Sequence, residues 1–111
     1  MCGIFGVINK PIDEELAQKC TDRLYHRGPD AGKVWQSGNV TLGHRRLAIL
    51  DLSEKGVQPL FYAGGRYVIV YNGEIYNFLE IRDELKTLGY TFESDCDSEV
   101  ILAAYMEAIG K

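Results

Sequence analysis

The chain has 111 residues, of which 46% are hydrophobic and 25% charged, and its formal net charge is −4. That length suits one domain of ordinary size and excludes two complete domains. No apolar run approaches the roughly 18 residues that a membrane span requires, and the basic residues form no stripe interleaved with aromatics that would indicate nucleic-acid binding. We therefore expect a water-soluble protein without a membrane or nucleic-acid partner.

The N-terminus is typical of neither a secretory leader nor a disulfide-rich protein. It has no basic stretch followed by an apolar core and a small-residue cleavage site, so a cytoplasmic location is the default expectation. Three cysteines, at positions 2, 20 and 96, are an odd number without CxxC spacing. We expect reduced thiols and neither a disulfide framework nor a metal site.

The first half of the chain predicts a strand, a helix and a hairpin. Residues 3–9 are short, apolar and rich in β-formers, which predicts a buried strand. Apolar residues then recur every four positions, which predicts a helix that ends before Gly28 and buries one face. The residues of that face are Ile12, Leu16, Cys20 and Leu24. Extended stretches on either side of 37–39 predict an antiparallel hairpin within residues 33–50.

The second half predicts a strand followed by two helices. A polar loop follows Asp51, and the alternating apolar residues of 66–72 predict an interior strand that ends at a turn. Asn77 and Glu80 form a capping-box signal for a helix that ends at Gly89. A last helix is predicted to begin near Asp97, which by itself has the character of an N-cap. The predicted strands are too few to cover so many helical faces, which indicates an incomplete domain.

Five segments carry a family resemblance. They are CGIFGV at the start, HRGPD at 26–30, GHRRLAILD at 43–51, YNGEIYN at 71–77 and DCDSEVIL at 95–102. Together they resemble the glutaminase domain of glutamine-hydrolysing asparagine synthetases, and five motifs in one order are far more specific than one. Amidotransferases that make phosphoribosylamine, glucosamine 6-phosphate or glutamate share the opening, whereas the downstream segments favour the asparagine synthetase branch.

The resemblance implies an α+β fold of the N-terminal-nucleophile type. This is an αββα four-layer sandwich with antiparallel sheets, of which only the N-terminal part is present. Residues 1–111 would then be the N-terminal part of a class II glutamine amidotransferase domain, with no synthetase domain present. The Ser-Gly-Gly-x-Asp-Ser pyrophosphate loop is not found in these residues, so no cofactor is expected in this segment. ATP and Mg²⁺ are implied only for the absent synthetase domain.

Cys2 stands directly after the initiator methionine and before small Gly3. Its position alone favours a small apolar residue at a fraying chain end. Removal of Met1 would instead expose an α-amine with a pKa of about 7.7–8.0, which can accept the proton of a thiol with a pKa of about 8.5. The resemblance implies this second role, in which Cys2 attacks the glutamine side-chain amide, forms a thioester and releases ammonia.

The resemblance also implies the oxyanion donors and the substrate contacts. The side-chain amide of Asn72 and the backbone N–H of Gly73 would bind the oxyanion, although the pair alone predicts only a tight turn. Arg46 would bind the glutamine carboxylate through its planar fork, and Glu74 and Asp97 would bind the ammonium group. The further contact positions are Leu47, Ala48, Ile49 and Leu50.

Other charged and titratable residues receive structural interpretations. Arg45 is interpreted as a solvated strand residue. His26 and His44 have no carboxylate or cysteine at ligand spacing, and the α-amine already supplies a base, so we assign neither a catalytic nor a metal-binding role. The HRGPD segment is assigned no catalytic role.

The implied partners are L-glutamine, a C-terminal synthetase domain that receives the ammonia and, as one option, a second copy of the parent protein. Three alternatives remain open at this point. They are a glutaminase that serves a different acceptor, such as a sugar or peptide carboxylate, an inactive binding relic, and a truncated non-catalytic fragment. The missing downstream sequence would identify the acceptor.

Overall fold

The computed structural model describes residues 2–47 and 54–110, which form a mixed α+β structure with antiparallel sheets. The strands are β1 (Gly3–Ile8), β2 (Ala31–Ser37), β3 (Val40–Arg46), β4 (Leu60–Tyr62) and β5 (Tyr67–Ile69). The helices are α1 (Glu14–Asp22), α2 (Phe78–Thr87) and α3 (Asp97–Ala108), and a short 3₁₀ turn spans Glu54–Gly56. Of the helices in these ranges, none has the length and apolar character required to cross a membrane.

The first sheet has the order β1-β3-β2, with both pairings antiparallel. The predicted hairpin is confirmed, because Ser37 pairs with Val40 across a two-residue loop whose Gly38 has a φ of 56°. The first strand is also confirmed, but its expected burial is wrong for one face. Ile8 is 67% exposed and Ile4 is also exposed, since α1 lies against the opposite face, where Gly3 contacts Leu24.

Helix α1 is shorter than predicted, and its buried face is offset by one residue. It ends at Asp22, and turns continue the chain to Gly28, whose N–H reaches the carbonyls of Leu24 and Tyr25. The fully buried residues are Ala17 and Thr21, whereas Leu16 is exposed. The helix approaches the sheet so closely at Gly43 that the Thr21 hydroxyl occupies the space of an absent Cβ, so small side chains face the sheet there.

The second sheet corrects two expectations. Residues 54–62 were expected to be a polar loop, but they include β4, which pairs with β5 in the register Leu60 with Ile69. The strand predicted over 66–72 ends at Ile69, so residues 70–72 lie beyond it. Strand β4 has three residues, too few to show an alternating pattern from which a strand would be predicted.

Helices α2 and α3 pack on each other, and α3 packs on the second sheet, around a core formed by Leu85, Tyr90, Val100 and Ala103. Asn77 holds the predicted N-cap position of α2, but within the described structure its side chain makes no capping hydrogen bond. The N–H of Phe78, the first residue of the helix, donates to the Ile75 carbonyl at 3.2 Å. The N-cap of α3 is Cys96, so the interpretation of Asp97 as the capping residue is wrong.

The close contact of α1 with β3 predicts that Gly43→Ala destabilises the fold. The new methyl group would overlap the Thr21 side chain, and overpacking of this kind costs about 1–3 kcal/mol. Gly6→Ala is the matched control in a neighbouring strand, because its Cβ would meet Leu42 Cδ2 at an ordinary 3.6 Å. Urea unfolding should show a loss for Gly43→Ala and a change below about 1 kcal/mol for Gly6→Ala. Equal effects would contradict the prediction.

Candidate functional site

A cavity of about 480 Å³ opens where five separate parts of the chain meet. These parts are the residue before β1, the end of β3, the segment before β4, the segment after β5 and the start of α3. The cavity lies on the side of the first sheet opposite α1, the side on which Trp35 meets Phe61 of β4 with ring centroids 6.1 Å apart. Its lining includes seven predicted site residues, which are Cys2, Arg46, Leu47, Asn72, Gly73, Glu74 and Asp97.

Cys2 is held at the cavity by both its side chain and its backbone. The Leu47 N–H donates to Cys2 Sγ at 3.3 Å, and Sγ lies 3.6 Å from the Leu47 carbonyl oxygen. Arg27 Nε donates to the carbonyl oxygen of Cys2 at 3.1 Å. The HRGPD segment therefore helps to position the predicted nucleophile, a contact that the sequence did not predict.

Arg46 is the last residue of β3 and is only 6% exposed. Its backbone is fixed because its carbonyl accepts a hydrogen bond of 2.9 Å from the Asp30 N–H. Its guanidinium lies against Gly56, where an added Cβ would stand 2.6 Å from Arg46 Nη2 and 2.5 Å from Cys96 Sγ. A buried cation thus stands at the cavity wall, as the carboxylate-binding prediction requires.

Arg45 points to the other face of the sheet. Its side chain is 11% exposed and forms an ion pair of 2.9 Å with Asp22, so the expectation of a solvated residue is wrong. Arg45 Nε also donates to the Gly28 carbonyl at 2.9 Å. The error has a simple cause, since strand alternation places Arg45 under α1 when Arg46 faces the cavity.

The segment 72–74 forms an exposed rim, and α3 lies behind it. Asn72, Gly73 and Glu74 are all exposed. Asp97, in contrast, is 7% exposed, and its Oδ2 accepts a hydrogen bond of 2.9 Å from the Ile75 N–H. The buried carboxylate therefore fixes the chain just beyond the rim while it lines the cavity.

Several lining residues were not predicted from the sequence or were assigned only a structural role. They are His44, Gly56, Gln58, Tyr71, Tyr76, Cys96 and Ser98. Gln58 is 7% exposed, accepts from the Tyr71 N–H at 2.6 Å and donates to Ser98 Oγ at 3.0 Å. Tyr71 adjoins Asn72 within the YNGEIYN segment, so that motif could have indicated Tyr71 as a site residue. Gln58 lies in a segment whose sequence predicts only a polar loop.

His44 is 1% exposed, and its Nε2 lies 3.2 Å from the Tyr71 carbonyl oxygen. Because a carbonyl only accepts hydrogen bonds, the contact places the proton of the neutral ring on Nε2. Nδ1 has no partner among the residues that the structure describes. Burial lowers the pKa of His44, the Tyr71 contact opposes this shift, and the Arg46 guanidinium adds to it.

Tyr71 contributes a neutral phenol to the same wall. Burial raises the pKa of Tyr71, and the nearby carboxylates of Asp97 and Glu74 raise it further. Its hydroxyl lies against Gly73, where a Cβ would be 2.6 Å away. A side chain at position 73 would therefore displace the tyrosine.

Ala48, Ile49 and Leu50, the remaining predicted contact positions, lie outside the described residues. Over the described ranges, no three His, Cys, Asp or Glu side chains stand close enough together to hold a metal ion. A second cavity of about 640 Å³, lined in part by Tyr90 and Glu99, lies between the β4–β5 loop and the last two helices. It contains none of the predicted site residues.

The first cavity has the chemistry of an amino-acid site. A buried guanidinium suits a carboxylate, and the Asp97 and Glu74 carboxylates suit an ammonium group. A thiol and exposed amide groups complete the lining. A volume of about 480 Å³ lies within the range of small-molecule sites.

Comparisons with known proteins agree with this chemistry. A family model described as a glutamine amidotransferase domain matches residues 1–111. Asparagine synthetase [glutamine-hydrolyzing] 1 of Bacillus subtilis is 47% identical over 111 residues, which cover 95% of this chain and 17% of that protein. Asparagine synthetase B [glutamine-hydrolyzing] of Escherichia coli is 41% identical, with 96% and 20% covered. The chain thus spans about a fifth of each relative, and the family resemblance is confirmed.

The lowered pKa of His44 predicts a loss of stability in acid. The unfolded chain, with a reference pKa of about 6.5, binds this proton more readily than the folded chain. Stability should therefore fall as the pH drops below about 6.5, by at most about 1.4 kcal/mol per pH unit for this one group. His44→Gln keeps a hydrogen-bond donor, but glutamine does not titrate in this pH range. The substitution should therefore remove the part of the stability loss that comes from His44.

Urea unfolding between about pH 7.5 and 5.5 measures this difference. His26→Gln, which replaces an exposed histidine, is the matched control for the substitution itself. If His44→Gln loses as much stability in acid as the unsubstituted chain, His44 is not the titrating group.

Proposed function

This chain belongs to the glutamine amidotransferase domain family, and we propose that it carries the glutaminase site of a longer asparagine synthetase. The site would hydrolyse L-glutamine to glutamate and ammonia. The observation that carries the proposal is that a thiol, a buried arginine and carboxylates from distant parts of the sequence line one cavity. The names of the relatives, which are glutamine-hydrolysing, support the same substrate.

In the proposed mechanism, Cys2 Sγ attacks the side-chain carbonyl carbon of glutamine while its proton passes to the α-amine freed by removal of Met1. The tetrahedral oxyanion is bound by the Asn72 side-chain amide and the Gly73 N–H. Collapse breaks the C–N bond, and the amine proton leaves with the nitrogen as ammonia. Water then hydrolyses the thioester, which releases glutamate and restores the thiol.

Substrate binding uses the two charged ends of the amino acid. Arg46 would pair with the glutamine α-carboxylate through two parallel hydrogen bonds. Asp97 and Glu74 would accept hydrogen bonds from the α-ammonium group. Because Arg46 and Asp97 are both almost fully buried, their interactions with the substrate are screened by water far less than those of surface charges.

The rest of the activity belongs to the proposed parent protein. We propose that further residues of that parent complete the αββα sandwich and supply a C-terminal synthetase domain, where ATP and Mg²⁺ would act and ammonia would be consumed. The present segment would need no cofactor. A sugar or peptide carboxylate as the acceptor is the alternative, and the names of the relatives favour asparagine synthesis.

Cys2→Ala should abolish glutamate release from glutamine in the parent protein, because, of the two cavity thiols, Cys2 and Cys96, the α-amine that accepts the thiol proton belongs to Cys2. Cys20→Ala is the matched control, since this thiol lies on α1 outside the cavity, and it should retain normal activity. Glutamate release is measured directly, and intact mass establishes removal of Met1 in each protein. Normal hydrolysis by Cys2→Ala, or by a protein that retains Met1, would refute the mechanism.

Asn72→Ala and Arg46→Lys should affect different kinetic constants. Loss of an oxyanion donor costs about 2.7–4 kcal/mol of barrier, so Asn72→Ala should lower kcat by roughly a hundredfold or more with little change in KM. Arg46→Lys loses the planar fork and should raise KM by about tenfold or more.

The matched controls for these two substitutions are Asn77→Ala and Arg23→Lys, both at exposed positions outside the cavity. They should leave both constants unchanged. Steady-state kinetics of glutamate release separate kcat from KM. If Asn72→Ala changed only KM, the amide would bind the substrate rather than the transition state.

A further inference from the structure

Tyr71 has both of its backbone polar groups bound by buried side chains. It lies two residues beyond the end of β5, so strand pairing does not set its orientation. Its N–H donates to Gln58 Oε1 at 2.6 Å, and its carbonyl oxygen lies 3.2 Å from His44 Nε2. These two contacts fix the peptide groups on either side of Tyr71, including the one that leads directly into Asn72.

The two side chains are themselves firmly held. His44 lies in the central strand β3, two residues from Arg46 and on the same face of the sheet. Gln58 is tied through its Nε2 to Ser98 Oγ in the first turn of α3, at 3.0 Å. The Tyr71 backbone is thus linked to the strand that carries Arg46 and to the helix that carries Asp97.

The rim needs such support because it has little packing of its own. Asn72 and Gly73 are exposed, whereas His44, Gln58 and Ser98 are buried. Catalytic groups must stay within about 0.5 Å of their productive positions, and a misplacement of 1 Å can cost about a hundredfold in rate. The exposed donors therefore depend for their orientation on the anchored backbone on either side of them, at Tyr71 before them and at Ile75 after them.

We propose that Gln58 and His44 are positioning residues that set the oxyanion donors through the backbone of Tyr71. The proposal rests on the proposed glutaminase function and extends it to residues that do not touch the substrate amide. It also accounts for a buried glutamine in a segment with no strand-forming pattern. Both contacts are made in the free protein and orient donors that act on the transition-state oxyanion, so they would contribute to kcat rather than to substrate affinity.

The first test is Gln58→Met in the full-length parent protein. Methionine keeps the length and approximate volume of the side chain but removes both hydrogen bonds. The substitution should lower kcat for glutamate release by about 10- to 100-fold and leave KM within about twofold. Gln36→Met is the matched control, because Gln36 is half-buried and, like Gln58, hydrogen-bonded through its side chain, to the Ile12 carbonyl and Thr41, but lies outside the cavity. It should leave kcat unchanged.

A double-mutant cycle with Asn72→Ala separates positioning from general structural damage. If Gln58 acts through the oxyanion donors, Gln58→Met should lower kcat by less than about threefold once Asn72 is already alanine. Independent effects would multiply and overturn the proposal. Gln58→Asn, which withdraws the amide by one methylene, gives the same comparison if Gln58→Met does not fold.

A conservative pair at His44 provides an independent test. His44→Gln retains a donor that can reach the Tyr71 carbonyl and should keep kcat within about threefold, whereas His44→Leu removes the donor and should lower kcat by about tenfold or more. Equal kcat values for the two variants would overturn the proposal. Failure of the glutaminase function itself is recognised separately, because the unsubstituted parent protein would then release no glutamate from glutamine, or Cys2→Ala would release it at the normal rate.

Discussion

The pairing of β3 with a strand on each side is the constraint on which the cavity depends. Its register against β1 and β2 decides which side chains face α1 and which face the second sheet. A shift by one residue would reverse every side chain. With the observed register, Arg45 binds Asp22 of α1, and the adjacent Arg46 enters the cavity. Two consecutive arginines thereby make contacts on opposite faces of the sheet.

The close approach of α1 secures that register from the other side. Thr21 lies directly over Gly43, and Leu24 lies over Gly3, so larger residues at either glycine would push the helix away. The position of Cys2 therefore depends on both the strand pairing and the packing of α1. Cys2 directly precedes β1, and its carbonyl accepts a hydrogen bond from Arg27 in the turns that follow the helix. The proposed nucleophile is therefore held in place by the segments that pack α1 against the first sheet.

Much of the site was predictable because its chemistry belongs to side chains within short motifs. Cys2, Arg46, Asn72 and Asp97 could each be proposed from the sequence, and the structure brings them to one cavity. Gln58 was missed because its partner is a backbone N–H, which any residue at position 71 except proline would supply. The sequence around Gln58 contains no motif that predicts this hydrogen bond.

In the fold, too, features set by local sequence were predicted correctly, and features set by tertiary contacts were not. The hairpin at Gly38 and the helix end at Gly89 follow from local backbone preference, and both glycines have positive φ. The buried face of α1 was misplaced because Thr21 packs over Gly43, and the buried residue one turn before Thr21 is Ala17 rather than Leu16. The capping signal at Asn77 marked the correct residue, although within the described structure its side chain makes no capping hydrogen bond. Local signals thus located the ends of elements, whereas a contact between segments decided which face of α1 is buried.

The shared position of Cys2 and Cys96 has a practical consequence for chemical labelling. Both thiols line the same cavity, and Cys96 Sγ lies with the Arg46 guanidinium against Gly56. An electrophile that enters the cavity meets two sulfur atoms, so the number of labels per chain does not identify the nucleophile. Assignment requires peptide mapping, or a Cys96→Ser background in which Cys2 is the cavity's remaining thiol among the described residues. Covalent inhibitors designed for this cavity could likewise react with Cys96 instead of the proposed nucleophile, Cys2.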